Sequence, residues 1–124
     1  MVLVDTSVWV RHLRERDPDL ERLLNDGQVM CHPIIVGELA CGNLKNRREI
    51  LSLMQLLPQA TLAEHEEILQ FIELHHLMGR GLGYIDVHLA ASSLLTAVPL
   101  WSYDKKLSEA TEMLGIRYDP VLVR

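Results

Sequence analysis

The fold prediction starts from the first seven residues, Met1-Val-Leu-Val-Asp5-Thr-Ser7. Its apolar, mostly β-branched run Val2–Val4 predicts a short buried strand. Asp5 ends that strand, and Thr6 and Ser7 are good helix N-caps ahead of an apolar-periodic segment. This stretch therefore predicts a carboxylate at the carboxyl end of a strand, which is the edge of an open α/β sheet where ligands bind.

The composition narrows the class of protein. At 124 residues, 48% hydrophobic and 23% charged, the chain is predicted to form one domain, residues 1–124, with a real core. Its net charge of −5 argues against a broad non-specific nucleic-acid binder, which would be basic. The same charge is compatible with a nucleic-acid enzyme whose acids are gathered in one metal-binding pocket.

Neither secretion nor membrane insertion is expected. The two cysteines, Cys31 and Cys41, make a weak case for a disulfide and favour a reducing cytoplasm. The start of the chain lacks a basic region, and Asp5 interrupts its apolar run. The longest apolar stretch, residues 89–100, is broken by three hydroxyl residues and a proline, so it is too short and too polar to span a bilayer.

Helical and strand-like segments alternate along the chain. Further strands are predicted at residues 28–31, 60–63, 98–102 and 116–118. Helices are predicted at residues 7–15, from Asp17-Pro18-Asp19 onward, and at 33–42, 46–57, 64–78, 84–97 and 103–114, with a flexible glycine loop at 79–83. This alternation predicts an α/β fold with a mostly parallel sheet.

Four carboxylates occur in unusual contexts. Asp5 and Asp104 each follow a predicted strand, and such positions lie on the same edge of a parallel sheet. Glu38 is the one ionisable residue of an apolar helix, and Asp86 begins a helix after the glycine loop. Buried carboxylates need partners or metal, and Mg²⁺ and Mn²⁺ prefer oxygen ligands. Clustered, these acids would suit one or two divalent ions, which lower the pKa of a water and stabilise charge on phosphate.

Each acid also has an ordinary structural explanation. Asp5 is a possible helix cap, and Asp86 a first-turn acid that favours the helix dipole. Asp104 is able to pair with the two lysines that follow it. Glu38 is the hardest to explain in this way, because the rest of its helix is so apolar. Without further information, the spacing leaves both interpretations open.

Four motifs carry a resemblance to a known family: VDTSVW at residues 4–9, GELACG at 37–42, DVHLAASS at 86–93 and LWSYDKKL at 100–107. In this order and at this spacing the chain resembles the PIN-domain ribonucleases, in particular the VapC toxins of bacterial toxin–antitoxin pairs. The resemblance implies a three-layer α/β fold with a mostly parallel sheet of four or five short strands flanked by helices. It also implies an endoribonuclease toxin of a type II system that depends on Mg²⁺ or Mn²⁺ and cuts structured tRNA or ribosomal RNA. A homodimer and a VapB-type antitoxin are the partners implied.

The resemblance also assigns roles to residues. Catalytic and metal-binding roles fall on the four acids, namely Asp5, Glu38, Asp86 and Asp104. Ser7 and Ser102 occupy the family's hydroxyl positions, with Thr6 beside them; the family more often has threonine at the position of Ser102. An acid would orient the attacking water, and in-line cleavage would leave a 5′-phosphate and a 3′-hydroxyl without a side-chain nucleophile.

Basic residues are candidates for positioning RNA around the acids. The candidates are Arg11, Arg14, Arg16, Lys45, Arg47, Arg48, Arg80, Lys105 and Lys106. Arg80, in the glycine loop, and Lys105, beside Asp104, are the best placed, whereas a solvated helix face explains Arg47 and Arg48. Phosphate contacts of this kind make binding depend steeply on salt.

Three other functions compete with this interpretation. A haloacid-dehalogenase-type phosphatase needs a second aspartate two residues after the first, where this chain has Ser7. A receiver domain fits poorly, because no aspartate ends the third predicted strand. The remaining alternative is a PIN-fold module that binds RNA or protein without cleavage, and the presence of all four acids favours the nuclease over it.

Overall fold

The computed structural model describes residues 1–123. Within that range the chain forms three strands, seven α-helices and a terminal 3₁₀ helix. In chain order the elements are β1 (Val2–Val4), α1 (Thr6–Glu15), α2 (Pro18–Asn25), β2 (Val29–Met30), α3 (Pro33–Ala40), α4 (Arg47–Leu56), α5 (His65–His75), α6 (Tyr84–Thr96), β3 (Leu100–Trp101), α7 (Lys105–Met113) and the 3₁₀ helix (Pro120–Val123). Their order agrees with the prediction from the sequence.

The first strand lies at the centre of the sheet, whose strand order is β2-β1-β3. Val2 of β1 pairs in parallel with Val29 of β2, and Val4 pairs in parallel with Trp101 of β3. The predicted parallel sheet is therefore confirmed. Because β1 and β3 run in the same direction side by side, the chain leaves both strands at one edge of the sheet.

Two of the five predicted strands do not form in residues 1–123, and the sheet has three strands. The segments at residues 60–63 and 116–118 do not form strands, and their neighbourhoods contribute single parallel bridges, Cys31 with Gln59 and Leu100 with Arg117. At the first bridge, the Cys31 N–H donates to the carbonyl of Pro58 and the Cys31 carbonyl accepts the Ala60 N–H. The next donor of this parallel ladder would be residue 33, but Pro33 has no N–H and begins α3, so the pairing does not propagate.

Two helix ends also differ from the sequence prediction. The N-cap of α1 is Asp5 rather than Thr6 or Ser7, because the Asp5 side chain accepts the Ser7 N–H. The predicted helix over residues 64–78 stops at His75, since His76 adopts a left-handed backbone with φ 52°. Among the described residues, no helix has the length and apolar character required to cross a bilayer.

The core holds the carboxyl edge of the sheet in place. Leu3 and Val4 are fully buried in a cluster that includes Trp101 and Leu107. A second cluster, which includes the fully buried Ile68, packs α5 against α6. The residues that follow β1 and β3 are therefore held in position by strands that are buried in the core.

Candidate active site

Asp5 lies at the centre of the hydrogen bonds at this edge and is only 6% exposed. Its Oδ2 accepts hydrogen bonds from the hydroxyls of Ser7 and Ser102, each at 2.8 Å. The backbone N–H of Ser7 approaches the same oxygen at 3.4 Å. One carboxylate oxygen thus joins the start of α1 to the segment that follows β3, across 97 residues of sequence.

Backbone donors set the direction of these hydroxyl bonds. Ser7 Oγ accepts the N–H of Tyr103 at 2.9 Å, and Ser102 Oγ accepts the N–H of Asp104 at 2.9 Å. Because a backbone N–H is only a donor, each hydroxyl keeps its own proton for Asp5. The two serines therefore link backbone donors to Asp5 through their hydroxyls.

Glu38 lies next to the start of α1. The hydroxyl of Thr6 donates to Glu38 Oε1 at 2.7 Å. Glu38 is half-buried on α3, whose other side buries Ile35 and Leu39. Packing of α3 against the core consequently brings Glu38 next to the first residue of α1, adjacent in sequence to Asp5.

Asp86 lies half-buried in the first turn of α6. Its Oδ2 accepts the N–H of Gly83 at 3.2 Å. Burial raises the pKa of Asp86, and the negative charges of Asp5 and Asp104 raise it further, while the bond from Gly83 opposes this increase. The electrostatic effect of both aspartates on Asp86 indicates that the three acids share one region.

Asp104 caps α7 by accepting the N–H of Leu107 at 2.9 Å. The ordinary explanations are thus partly correct for Asp5, which is an N-cap, and for Asp86, which is a first-turn acid. For Asp104 the expected pairing with its lysines is not among the ion pairs of residues 1–123, and it caps α7 instead. Cap and functional site are compatible here, because the positive ends of helix dipoles favour anions. The amino termini of α1, α6 and α7 each begin beside one of these acids.

A clasp formed by Arg11, Asp17 and Tyr103 fixes the segment between Ser102 and Asp104, and the sequence did not predict it. The Tyr103 phenol donates to Asp17, which is 1% exposed, and Arg11 lies 5.1 Å over the Tyr103 ring. Burial and the bond to Asp17 raise the pKa of Tyr103. The sequence offers a signal for Tyr103, which lies within one of the four motifs. For Asp17 the sequence predicts only the start of a helix.

The two basic residues favoured for RNA lie at the surface of this region. Arg80 is exposed, and its Nε donates to the carbonyl of His76 at 2.9 Å. Lys105 is exposed as the first residue of α7. The next residue, Lys106, lies against the glycine loop: a Cβ built at Gly81 would stand 3.4 Å from its Cδ. The glycine loop is therefore close to the start of α7.

The side chains of the four acids offer the type of ligand atom, carboxylate oxygen, that a hard divalent cation prefers. All four acids supply oxygen, and the ion pairs found within residues 1–123 involve other acids, namely Asp17, Asp19, Glu21, Glu112 and Asp119. In the described part of the chain, however, no three acidic, histidine or cysteine side chains stand in a ready metal-holding arrangement. The carboxylates are instead directed at hydroxyl and N–H donors, with which a cation would compete. Burial is the main cause of the raised pKa of Asp86, and a cation would offset the smaller contribution that the charges of Asp5 and Asp104 make.

Sequence comparison places these features in a family. Residues 2–113 match the PIN domain family. The proteins named Ribonuclease VapC32 from two strains of Mycobacterium tuberculosis, CDC 1551 / Oshkosh and H37Rv, are each 42% identical to this chain over 117 residues, which is 94% of either protein.

Solved structures agree with the fold. The structure of FitAB bound to an IR36 DNA fragment aligns with a TM-score of 0.63 at 16% identity. The alignment includes 97% of this chain and 95% of the chain in that structure. FitAcB from Neisseria gonorrhoeae covers 98% with a TM-score of 0.62 at 19% identity, and 99% of that chain is covered. PAE2754 from Pyrobaculum aerophilum covers 90% with a TM-score of 0.61 at 14% identity, and 80% of that chain is covered.

Proposed function

The chain belongs to the PIN-domain family as a VapC-type ribonuclease of a toxin–antitoxin system, and we propose that Asp5, Glu38, Asp86 and Asp104 are its catalytic and metal-binding residues. The observation that carries this proposal is the network around Asp5. Its hydrogen bonds link the ends of β1 and β3, and the charges of Asp5 and Asp104 contribute to the raised pKa of Asp86. Distant parts of the sequence thus bring acids to one edge of the sheet.

Mg²⁺, or Mn²⁺ in its place, is the proposed cofactor. When bound by these acids, such an ion acts as a Lewis acid, lowers the pKa of a water and stabilises charge on phosphate. The absence of ion pairs from these four acids to lysine or arginine, among the residues that the structure describes, supports a role for a cation.

The side chains around the acids position the reaction. The hydroxyls of Ser7 and Ser102 hold Asp5 in one orientation, and Thr6 does the same for Glu38. Asp86, whose pKa is raised, is suited to orient a water and take its proton. In-line attack on phosphorus then leaves a 5′-phosphate and a 3′-hydroxyl. Arg80 and Lys105 are proposed to contact the backbone phosphates of the RNA.

The proposed substrates and partners follow from the family. We propose structured RNA, such as tRNA or ribosomal RNA, as the substrate, in the cytoplasm. A VapB-type antitoxin with a basic segment fits a chain of net charge −5. A homodimer is proposed through the outer face of α5, where Leu69 and Leu74 are 43% and 73% exposed.

The experiment combines RNA cleavage with a metal titration. Purified protein is incubated with end-labelled tRNA in EDTA, and then with increasing Mg²⁺ or Mn²⁺. The proposal expects no cleavage in EDTA, cleavage that rises with metal, and products that carry 5′-phosphates. RNA binding without cleavage at any metal concentration would instead favour the alternative of a PIN-fold module that binds RNA. Cleavage in EDTA would refute the metal dependence.

A further inference from the structure

Asp17 is a buried carboxylate to which the proposed reaction assigns no role. It is 1% exposed and caps α2, where its Oδ1 accepts the N–H of Asp19 at 3.0 Å and that of Leu20 at 3.2 Å. Asparagine and serine cap helices about as well as aspartate, so the cap alone does not require a charge. Because an ionised carboxylate is costly to bury unless it is paired, the charge of Asp17 indicates a second role.

The other oxygen of Asp17 binds the tyrosine of the clasp. The Tyr103 phenol donates to Oδ2, and Arg11 Nε lies 3.8 Å from the same oxygen. The guanidinium of Arg11 also lies over the Tyr103 ring, so it contacts both partners of this bond. Burial and the bond to Asp17 raise the pKa of Tyr103, and its phenol therefore remains a donor at neutral pH.

The backbone of Tyr103 extends this contact to the proposed centre. Its N–H donates to Ser7 Oγ at 2.9 Å, and the Ser7 hydroxyl donates to Asp5 Oδ2 at 2.8 Å. Tyr103 lies between the end of β3 and the start of α7, outside both elements. Its side chain is therefore an anchor for its backbone, and a continuous path of hydrogen bonds runs from Asp17 through Tyr103 and Ser7 to Asp5.

Ser7 has a second hydroxyl within reach, so the position of its oxygen matters. Ser7 Oγ lies 3.3 Å from Ser102 Oγ, and either hydroxyl is able to donate to the other. Since a hydroxyl has one proton, donation to Ser102 would remove the bond from Ser7 to Asp5. The Tyr103 N–H holds Ser7 Oγ nearer to Asp5, where the charged acceptor gives the stronger bond.

We propose that Tyr103 and Asp17 are positioning residues for RNA cleavage, which act through Ser7 to hold the Asp5 carboxylate in its working orientation. The inference rests on the proposed function, in which Asp5 binds the metal ion. Groups that orient metal ligands typically contribute about 10- to 100-fold to metal affinity or activity. The effect of Tyr103 and Asp17 should therefore fall on kcat and on metal binding, and not on the KM for RNA.

A purely structural role is the competing explanation. The bond between Tyr103 and Asp17 also joins the start of α2 to the segment after β3, so its loss should lower the stability of the fold. A structural bond would change the melting temperature but leave kcat of the folded protein unchanged. It would also act independently of Ser7, and this difference separates the two explanations.

The test is a double-mutant cycle with a matched control. Tyr103→Phe deletes the phenol oxygen, Ser7→Ala deletes the hydroxyl, and the double variant completes the cycle. The control is Tyr118→Phe, which deletes the same oxygen from a tyrosine that also packs against Trp101, at 5.6 Å between ring centroids, but lies outside the path. Asp17→Asn is a further variant, because asparagine retains the α2 cap and loses the charge.

Three quantities are measured well below the melting temperature of each variant. Cleavage of end-labelled tRNA in saturating Mn²⁺ gives kcat and KM. Calorimetry gives the affinity of the free protein for Mn²⁺ without RNA. Amide hydrogen exchange, followed by NMR in EDTA, gives the protection of the N–H of residue 103, which requires neither metal nor RNA.

Tyr103→Phe is expected to lower kcat about tenfold with KM for RNA retained, to weaken Mn²⁺ binding and to reduce the protection of the residue 103 amide. Tyr118→Phe should behave as wild type in all three measurements. In the Ser7→Ala background, Tyr103→Phe should cause no further loss, because both changes interrupt one path. Asp17→Asn should show the pattern of Tyr103→Phe, and it decides the test if Tyr103→Phe does not fold.

Each contrary result refutes a separate part of the proposal. If the wild type cleaves and Tyr103→Phe retains its kcat and Mn²⁺ affinity, the positioning role is refuted and the ribonuclease stands. If Tyr103→Phe has the same effect with and without the Ser7 hydroxyl, the path through Ser7 is refuted. If the wild type cleaves no RNA with Mg²⁺ or Mn²⁺, the proposed function itself fails, while Mn²⁺ affinity and amide exchange still test the path.

Discussion

Asp5 is a helix cap and a proposed metal ligand at once. Its carboxylate accepts the Ser7 N–H at the start of α1 and also the hydroxyls of Ser7 and Ser102. Capping requires only a side-chain oxygen, whereas binding a cation benefits from the full negative charge. A substitution that keeps the oxygen and removes the charge therefore separates the two roles.

Asp5→Asn is expected to lower RNA cleavage by about a hundredfold or more, since the proposed centre loses a charged ligand. The fold should persist, because asparagine caps helices about as well as aspartate. Cleavage rates and thermal melting measure the two effects. Asp26→Asn, at an exposed position after α2, is the matched control and should retain activity. Equal activity in both variants would remove Asp5 from the catalytic centre.

The hydroxyl at position 102 has a testable role of its own. Ser102→Ala deletes one donor to a charged acceptor, so cleavage should fall about tenfold to a hundredfold, for a bond of about 1.5–3 kcal/mol. Ser102→Thr keeps the hydroxyl and should retain most of the activity. The link to Asp5 would be disproved if threonine were as damaging as alanine, or if alanine had no effect.

At the scale of the elements, local patterns predicted most of the structure. The strand at residues 2–4, its neighbours and the order of seven helices follow from apolar runs, prolines and glycines. The outer strand at residues 60–63 was overestimated, because Pro33, which would have to donate the next ladder bond, has no N–H and begins α3. The early end of α5 depends on the left-handed backbone of His76, which no residue type in that segment demands.

His32 is a second element-scale feature that local patterns did not predict. It caps α3 by accepting the Ile34 N–H on Nδ1 at 3.0 Å, so its proton lies on Nε2 and donates to Ser92 of α6 at 2.9 Å. Burial, with a smaller contribution from His88, lowers the pKa of His32 to about 4. The cap on α3 thus requires neutral His32, because a protonated Nδ1 cannot accept the Ile34 N–H.

Stability should consequently depend on pH in a defined window. The folded pKa of His32, about 4, is below the 6.5 of an unperturbed imidazole, so its stabilising contribution is complete above pH 6.5 and decreases as pH falls toward 4. At about 1.4 kcal/mol per pKa unit, the decrease is on the order of 3 kcal/mol. Urea denaturation between pH 7.5 and 4.5 measures it. His32→Asn, which retains a capping oxygen, should flatten the slope from pH 6.5 to 5, and an unchanged slope would exclude His32 as its source.

For the whole molecule, the sequence identified the acids proposed for the site but not the contacts between them and the rest of the chain. The acids were visible as strand-end and helix-start carboxylates. Their hydrogen bonds were not, because Ser102 and Tyr103 reach Asp5 and Ser7 only through the tertiary fold. The clasp of Tyr103 to Asp17 spans 86 residues, and no local pattern encodes it.

The proposed homodimer is a prediction at this same scale. Leu74→Glu on the outer face of α5 should convert the dimer to a monomer, since a buried unpaired charge is unfavourable in an apolar interface. Light scattering across a concentration series measures the mass. Leu56→Glu, at the 80% exposed position on α4, is the control and should remain dimeric. A wild type that is monomeric throughout the series would contradict the dimer.

The location of a bound cation is the most direct test of the proposed centre. Crystals of the protein soaked in Mn²⁺ would give an anomalous difference map that shows where the ion sits. We expect a peak in direct contact with Asp5 and at least one of Glu38, Asp86 and Asp104, and we expect Asp5→Asn crystals to lose it. A peak bound elsewhere, or no peak in wild-type crystals that still diffract in saturating Mn²⁺, would contradict the assignment of these acids as the metal centre.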